Sequence, residues 1–169
     1  MARGCETVVF SHGKESGPWG DKITAMAAAA RDLGCAVESL DYRDIADPRA
    51  RVDRLIAAGR AAVGPLVLAG SSLGGHVSAA AARTLGARGL FLLAPAFYMP
   101  GFEAHTPHDP GCPAAIVHGW RDEIVSVENS IRWARERRAE LHLVDSDHRL
   151  QDRITQIVRI FRAFLESLA

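Results

Sequence analysis

Gly70-Ser71-Ser72-Leu73-Gly74 lies between an apolar run, Pro65-Leu66-Val67-Leu68-Ala69, and an Ala-rich stretch with helical spacing. The run is short enough for a buried strand, and the Ala-rich stretch reads as a helix. A G-x-S-x-G sequence between a strand and a helix forms a nucleophile elbow. The turn is tight, and its central serine takes a strained backbone conformation. Small residues on either side let strand and helix approach closely. Ser72 is that serine. Its hydroxyl is expected at the carboxyl edge of a sheet, at the amino end of a helix whose dipole favours developing negative charge.

Upstream, Thr7-Val8-Val9-Phe10-Ser11 reads as a buried strand, followed by a turn-rich loop from His12 to Gly20. Residues 21–33 show helical spacing that stops at Gly34, a C′ residue. Residues 36–40 form a second strand and 48–63 a second helix, with Asp47 as N-cap and Pro48 at its first position. Downstream, residues 72–85 read as a helix and 89–94 as a strand, then 95–113 as a long loop with five prolines. A strand at 114–118, a helix at 126–138, a strand at 141–144 and a closing helix at 150–168 complete the chain. Short apolar strands alternating with helices build βαβ units. The expectation is a single α/β domain, a three-layer α/β/α sandwich around a parallel sheet. In such sheets the ligand crevice lies beyond the carboxyl ends of the strands.

Composition narrows the functional classes. The chain has 169 residues, enough for one domain with a substantial core, and 48% of them are hydrophobic against 24% charged, as in ordinary soluble proteins. A formal net charge of zero argues against nucleic acid as a partner. No apolar run approaches the roughly 20 residues that span a bilayer. Met1 to Glu6 lacks the apolar core of a signal peptide. Cys5, Cys35 and Cys112 are odd in number and contain no C-x-x-C pair, which fits reduced thiols and a cytoplasmic protein.

Acyl transfer needs a nucleophile, a base, a group that orients the base, and donors for the oxyanion. A candidate for each follows a different strand. Ser72 is the nucleophile. His148, in Asp145-Ser146-Asp147-His148, follows the last strand and is the base, since neutral imidazole can take and return a proton. Asp122, in His118-Gly119-Trp120-Arg121-Asp122-Glu123-Ile124-Val125, is the carboxylate that would hold the imidazole tautomer, with Glu123 as its rival. The order Ser72, Asp122, His148 matches the elbow fold and differs from the protease orders. The backbone N–H of Lys14, in Ser11-His12-Gly13-Lys14, and that of Leu73 are the oxyanion donors. His12 is read as a loop-fixing group rather than a base.

These four segments, in this order, resemble the α/β-hydrolase superfamily over nearly the whole chain. The similarity is strongest to small, lid-less bacterial serine hydrolases related to dienelactone hydrolases and short carboxylesterases. The resemblance implies an acyl-enzyme on Ser72, a small ester or thioester as substrate, and no cofactor. A non-catalytic binding protein that retains the fold and a small peptidase are the alternatives. The superfamily's first two strands are missing, since the histidine–glycine turn already follows the first strand. The resemblance therefore implies a minimal fold of six parallel strands in the order 2-1-3-4-5-6, without a cap domain.

Three features stand apart. Phe97, Tyr98, Met99 and Phe102 follow the fourth strand and Trp120 the fifth. They either wall an apolar acyl pocket or pack beneath the long loop. His105, His108 and Asp109 lie in Pro- and Gly-rich surroundings without ligand spacing, so no metal site is expected. Cys112 reads as a passive thiol.

Overall fold

The fold, taken from a computed structural model, is described for residues 6–169. Cys5 lies outside the described residues. Strands β1 (Thr7–Ser11), β2 (Ala36–Leu40), β3 (Leu66–Ser71), β4 (Gly89–Leu93), β5 (Ala114–Gly119) and β6 (Glu140–Val144) form one sheet in the order β2-β1-β3-β4-β5-β6. Every pairing is parallel. Ser11 is in register with Gly70, and Ser71 with Leu93, so the carboxyl ends of β1, β3 and β4 lie side by side.

The central strands look uniformly apolar in sequence, yet the pleat divides them between two cores. Val8, Phe10, Val67, Ala69, Phe91 and Leu93 face one side. There they meet Ile23 and Met26 of α1 (Asp21–Asp32) and Ile157 and Phe161 of α5 (Ile154–Ser167). The Phe161 ring lies 5.0 Å from Phe91 and 6.0 Å from Phe10. Val9, Leu68, Leu90, Leu92 and Ile116 face the other side. Their partners are Leu55 of α2 (Pro48–Ala61), Val77 of α3 (Leu73–Leu85) and Trp133 of α4 (Val127–Arg137). This is the three-layer α/β/α sandwich with the strand order that the resemblance implied.

Helix ends follow local chemistry. The Asp47 side chain accepts the N–H groups of Arg49 and Ala50 at 3.2 Å each, with Pro48 at the first position. Gly34, at φ 84°, closes α1 with its N–H on the Arg31 carbonyl and the Cys35 N–H on Ala30, the Schellman pattern. Other boundaries depart from the sequence reading. The closing helix does not run from residue 150. Leu150 has φ 55°, a 3₁₀ turn covers Gln151–Arg153, and α5 begins at Ile154. The cause is Asp147, whose Oδ1 accepts the Arg149 N–H at 2.9 Å and the Leu150 N–H at 3.3 Å. That Asx turn competes with helix and leaves His148 at its tip. The 95–113 loop contains one 3₁₀ turn, Glu103–His105. None of the described helices is long and apolar enough to cross a membrane.

Candidate active site

The elbow has the conformation its glycines foretell. Ser72 sits at φ 54°, ψ −118°, a region that costs a non-glycine residue on the order of 1–3 kcal/mol. Its backbone is held on both sides: its N–H donates to Leu93 at 2.9 Å, and its carbonyl accepts the Ala96 N–H at 3.0 Å. A Cβ on Gly70 would strike the Gly74 carbonyl, and one on Gly74 would strike the carbonyls of Ser11 and His12. The amino end of α3 therefore sits directly against β1 and β3.

His148 is positioned by the loop between β6 and the 3₁₀ turn. Two bonds from the first turn of α1 hold that loop. Lys22 Nζ donates to the Arg149 carbonyl at 2.5 Å, and Gln151 Nε2 to Asp21 Oδ2 at 2.6 Å. The segment after β5 is tied to it as well, with the Trp120 N–H on Val144 at 2.9 Å and the Arg121 N–H on Ser146 at 3.0 Å. These bonds bring Asp122 and His148 together across 26 residues of sequence.

The result is a continuous relay. His148 Nε2 lies 3.1 Å from Ser72 Oγ, and His148 Nδ1 lies 2.7 Å from Asp122 Oδ2. The Nδ1 facing a carboxylate carries the proton, which leaves Nε2 as the acceptor for the serine hydroxyl. The Asp122 carboxylate is fully buried, and the imidazole is 20% exposed, open to a substrate. Burial alone would raise the Asp122 pKa. The Val125 N–H, the His148 ring and the Ile124 N–H outweigh it and hold the carboxyl below its usual range. Asp122 Oδ1 takes both backbone donors, Ile124 at 2.9 Å and Val125 at 2.8 Å. Glu123, the rival carboxylate, is exposed on the next position of the turn.

Two buried histidines flank this relay. His118 Nε2 faces two acceptors, Asp122 Oδ2 at 2.9 Å and the Val125 carbonyl at 3.0 Å, and its Nδ1 is 2.7 Å from Ser130 Oγ. His118 is thus a second N–H donor to the same carboxylate. In sequence it marks only a strand end, although its place four residues before Asp122 is the available signal. His12 Nε2 accepts the Tyr42 N–H at 2.9 Å, so its Nδ1 carries the proton and donates to the Gly13 carbonyl at 2.7 Å. That bond fixes the loop. The N–H groups of Lys14, in the turn after β1, and Leu73, at the first position of α3, have no acceptor among the described residues.

Burial lowers the pKa of both His12 and His118. A histidine kept neutral in the fold takes its proton only in the unfolded chain as pH falls below about 6.5. The unfolded chain then binds more protons, so stability falls with pH. Thermal unfolding is expected at a lower temperature at pH 5 than at pH 7, with up to about 1.4 kcal/mol lost per pH unit per histidine. Equal melting temperatures at the two values would contradict it.

The aromatic residues of the long loop divide. Phe97 is fully buried and stacks on Trp133 at 4.8 Å, so it packs in the core rather than facing a ligand. Tyr98 is engaged by α4, with Arg132 over its ring at 4.0 Å and its hydroxyl on Glu136 at 3.1 Å. Met99 is half-buried. Phe102 and Trp120 stay 66% and 54% exposed on loops that leave the carboxyl ends of β4 and β5. His105, His108 and Asp109 do not converge: Asp109 pairs with Arg83, and His108 Nδ1 lies 3.1 Å from Arg137 Nη2. No group of three or more His, Cys, Asp or Glu among the described residues is placed to hold a metal ion. Burial pushes the Cys112 thiol up to about 11, the behaviour of an inert thiol.

Comparison with known proteins gives the family. A family model described as "Alpha/beta hydrolase domain" matches residues 4–158. A search of the curated proteins found no match. Among solved structures, a protein of the alpha/beta hydrolase superfamily from Xanthomonas campestris pv. campestris is 38% identical, with 98% of this chain and 99% of that chain covered and a TM-score of 0.89. Est1E from Butyrivibrio proteoclasticus, solved with ferulic acid bound, is 17% identical, with coverages of 97% and 89% and a TM-score of 0.85. A serine hydrolase without lid from Xanthomonas campestris is 22% identical, with coverages of 96% and 81% and a TM-score of 0.71. The chain belongs to the alpha/beta hydrolase family.

Proposed function

We propose that the chain is a serine hydrolase that cleaves small carboxylic esters or thioesters through an acyl-enzyme on Ser72. The observation that carries this reading is the relay Ser72 Oγ–His148–Asp122, with spacings of 3.1 and 2.7 Å. In acylation, His148 Nε2 takes the Ser72 proton as Oγ attacks the carbonyl carbon. The oxyanion is received by the N–H groups of Leu73 and Lys14. Collapse breaks the bond to the alcohol or thiol, which leaves with the proton from His148. Water then repeats the sequence and releases the acid. Asp122 remains ionised throughout, in keeping with its lowered pKa, and stabilises the imidazolium. The catalytic groups of this chain need no metal, and the odd number of cysteines suits the cytoplasm.

The exposed Phe102 and Trp120 support an apolar acyl group at the rim of a site without a cap. The aromatic acid bound by Est1E fits the same preference. A panel of p-nitrophenyl esters and acyl thioesters of increasing chain length tests the reading; no turnover of any member would contradict it. Within that panel, Phe102→Ala is expected to shift the preferred chain length and to raise KM more than it lowers kcat. Apolar pockets discriminate by about 1–3 kcal/mol per methylene. A Phe102 that served only packing would lower the melting temperature and leave the substrate profile unchanged.

A further inference from the structure

Arg51 is a buried cation. Its side chain is 3% exposed, in the first turns of α2, on the same helical stripe as Leu55 and Gly59. Burial lowers its pKa. Among the described residues no carboxylate lies within ion-pair distance of it, and its acidic neighbour Asp44 is taken by Arg54, with bonds of 2.8 and 3.0 Å. Its guanidinium serves carbonyls instead. Nε donates to Ile45 at 2.8 Å, Nη1 to Gly13 at 3.4 Å, and the group lies 5.4 Å from the Tyr42 ring centroid.

The Gly13 carbonyl is the point that matters. It already accepts His12 Nδ1–H at 2.7 Å, so two buried donors from different elements converge on one oxygen. That carbonyl belongs to the same peptide group as the Lys14 N–H. In a planar trans peptide the C=O and N–H point in opposite directions. Holding the oxygen therefore aims the N–H. Gly13 itself borders the nucleophile, since a Cβ there would lie 3.5 Å from Ser72 Cβ. Donors on a peptide oxygen also polarise the group and strengthen its N–H as a donor.

We infer that Arg51, together with His12, is a positioning residue that clamps the Gly13–Lys14 peptide so that the Lys14 N–H meets the oxyanion. This inference rests on the serine-hydrolase reading of the same site. It also accounts for the lack of a carboxylate at ion-pair distance among the described residues: negative charge reaches this corner of the site with the tetrahedral intermediate. Arg51 acts through the peptide and does not touch substrate.

Arg51→Met tests it. An apolar side chain of similar length in place of a buried charge is compatible with folding. Kinetics are read per active site, with p-nitrophenyl acetate as substrate. Phenylboronic acid serves as a probe, because its tetrahedral adduct on a serine places an oxygen in the oxyanion hole. Loss of a single oxyanion donor costs about 10²- to 10³-fold in kcat. Misplacing one is expected to lower kcat by about 10- to 100-fold. KM should stay within about two-fold, and phenylboronic acid affinity should fall in parallel with kcat. Arg51→Lys, which keeps a donor and the charge, should recover part of the rate, and His12→Asn should share the kcat defect. Unchanged kcat in Arg51→Met, or a loss confined to KM, would overturn the clamp while wild-type activity leaves the serine-hydrolase reading standing. Should Arg51→Met fail to fold, full activity of both Arg51→Lys and His12→Asn overturns the clamp. A wild-type protein that neither turns over the ester nor binds the boronate would remove the reading beneath it.

Discussion

Ser72→Ala is expected to lower ester turnover by about 10⁴- to 10⁶-fold, the range for losing a nucleophile that works as part of a unit. The fold should survive. The Ser72 N–H donates to the Leu93 carbonyl and its carbonyl accepts the Ala96 N–H, and its hydroxyl has no partner other than His148 among the described residues. Ser71 is the control. It is the last residue of β3, and its register partner is Leu93. Ser71→Ala should retain most of the activity, because only the central residue of the elbow carries the left-handed φ that lifts its side chain out of the turn. The measurement is steady-state hydrolysis beside a melting curve for each variant. A dead Ser71 variant beside an active Ser72 variant would displace the elbow by one residue.

Asp122→Asn is expected to cost about 10⁴-fold in kcat. The amide is nearly the same size, so the loss comes from chemistry. Asp122 accepts four N–H donors: two from the backbone and one from each imidazole. An amide offers one acceptor oxygen; with that oxygen kept on the two backbone donors, its NH₂ would face a donor on both rings, because Oδ2 serves both. His148 would then flip tautomer or lose its orienting bond, and its cation would lose the adjacent negative charge. Glu123→Gln, one position along and exposed, should stay within about two-fold of wild type, as surface changes away from such features do. Equal losses from Asp122→Asn and Glu123→Gln would contradict the assignment of the orienting carboxylate.

Much of this arrangement was legible because it depends on short-range chemistry. The strands declared themselves as apolar runs between turn residues, and Asp47-Pro48 and Gly34 marked their helix ends as capping rules require. The elbow was readable because only a glycine at positions 70 and 74 permits the close approach seen there. What stayed hidden depends on three-dimensional partners. The break at residues 147–153 comes from a side chain of Asp147 that captures backbone donors, and helical spacing does not reveal which competitor wins. Phe97 and Phe102 look alike in sequence, yet one stacks on Trp133 and the other faces solvent, a difference set by where α4 lands. Arg51 was hidden among the other arginines of α2. The spacing of 51, 55 and 59 does place it on the apolar stripe, and that was the clue.

Labelling with a fluorophosphonate tests whether Ser72 is an activated nucleophile. The reagent forms a bond from phosphorus to an activated serine oxygen and releases fluoride, and mapping of the modified peptides locates the adduct. One adduct per chain is expected, on the peptide that contains Ser72, lost in Ser72→Ala and slowed in His148→Ala. An unlabelled wild-type protein, or an adduct on Ser71 or elsewhere, would contradict it.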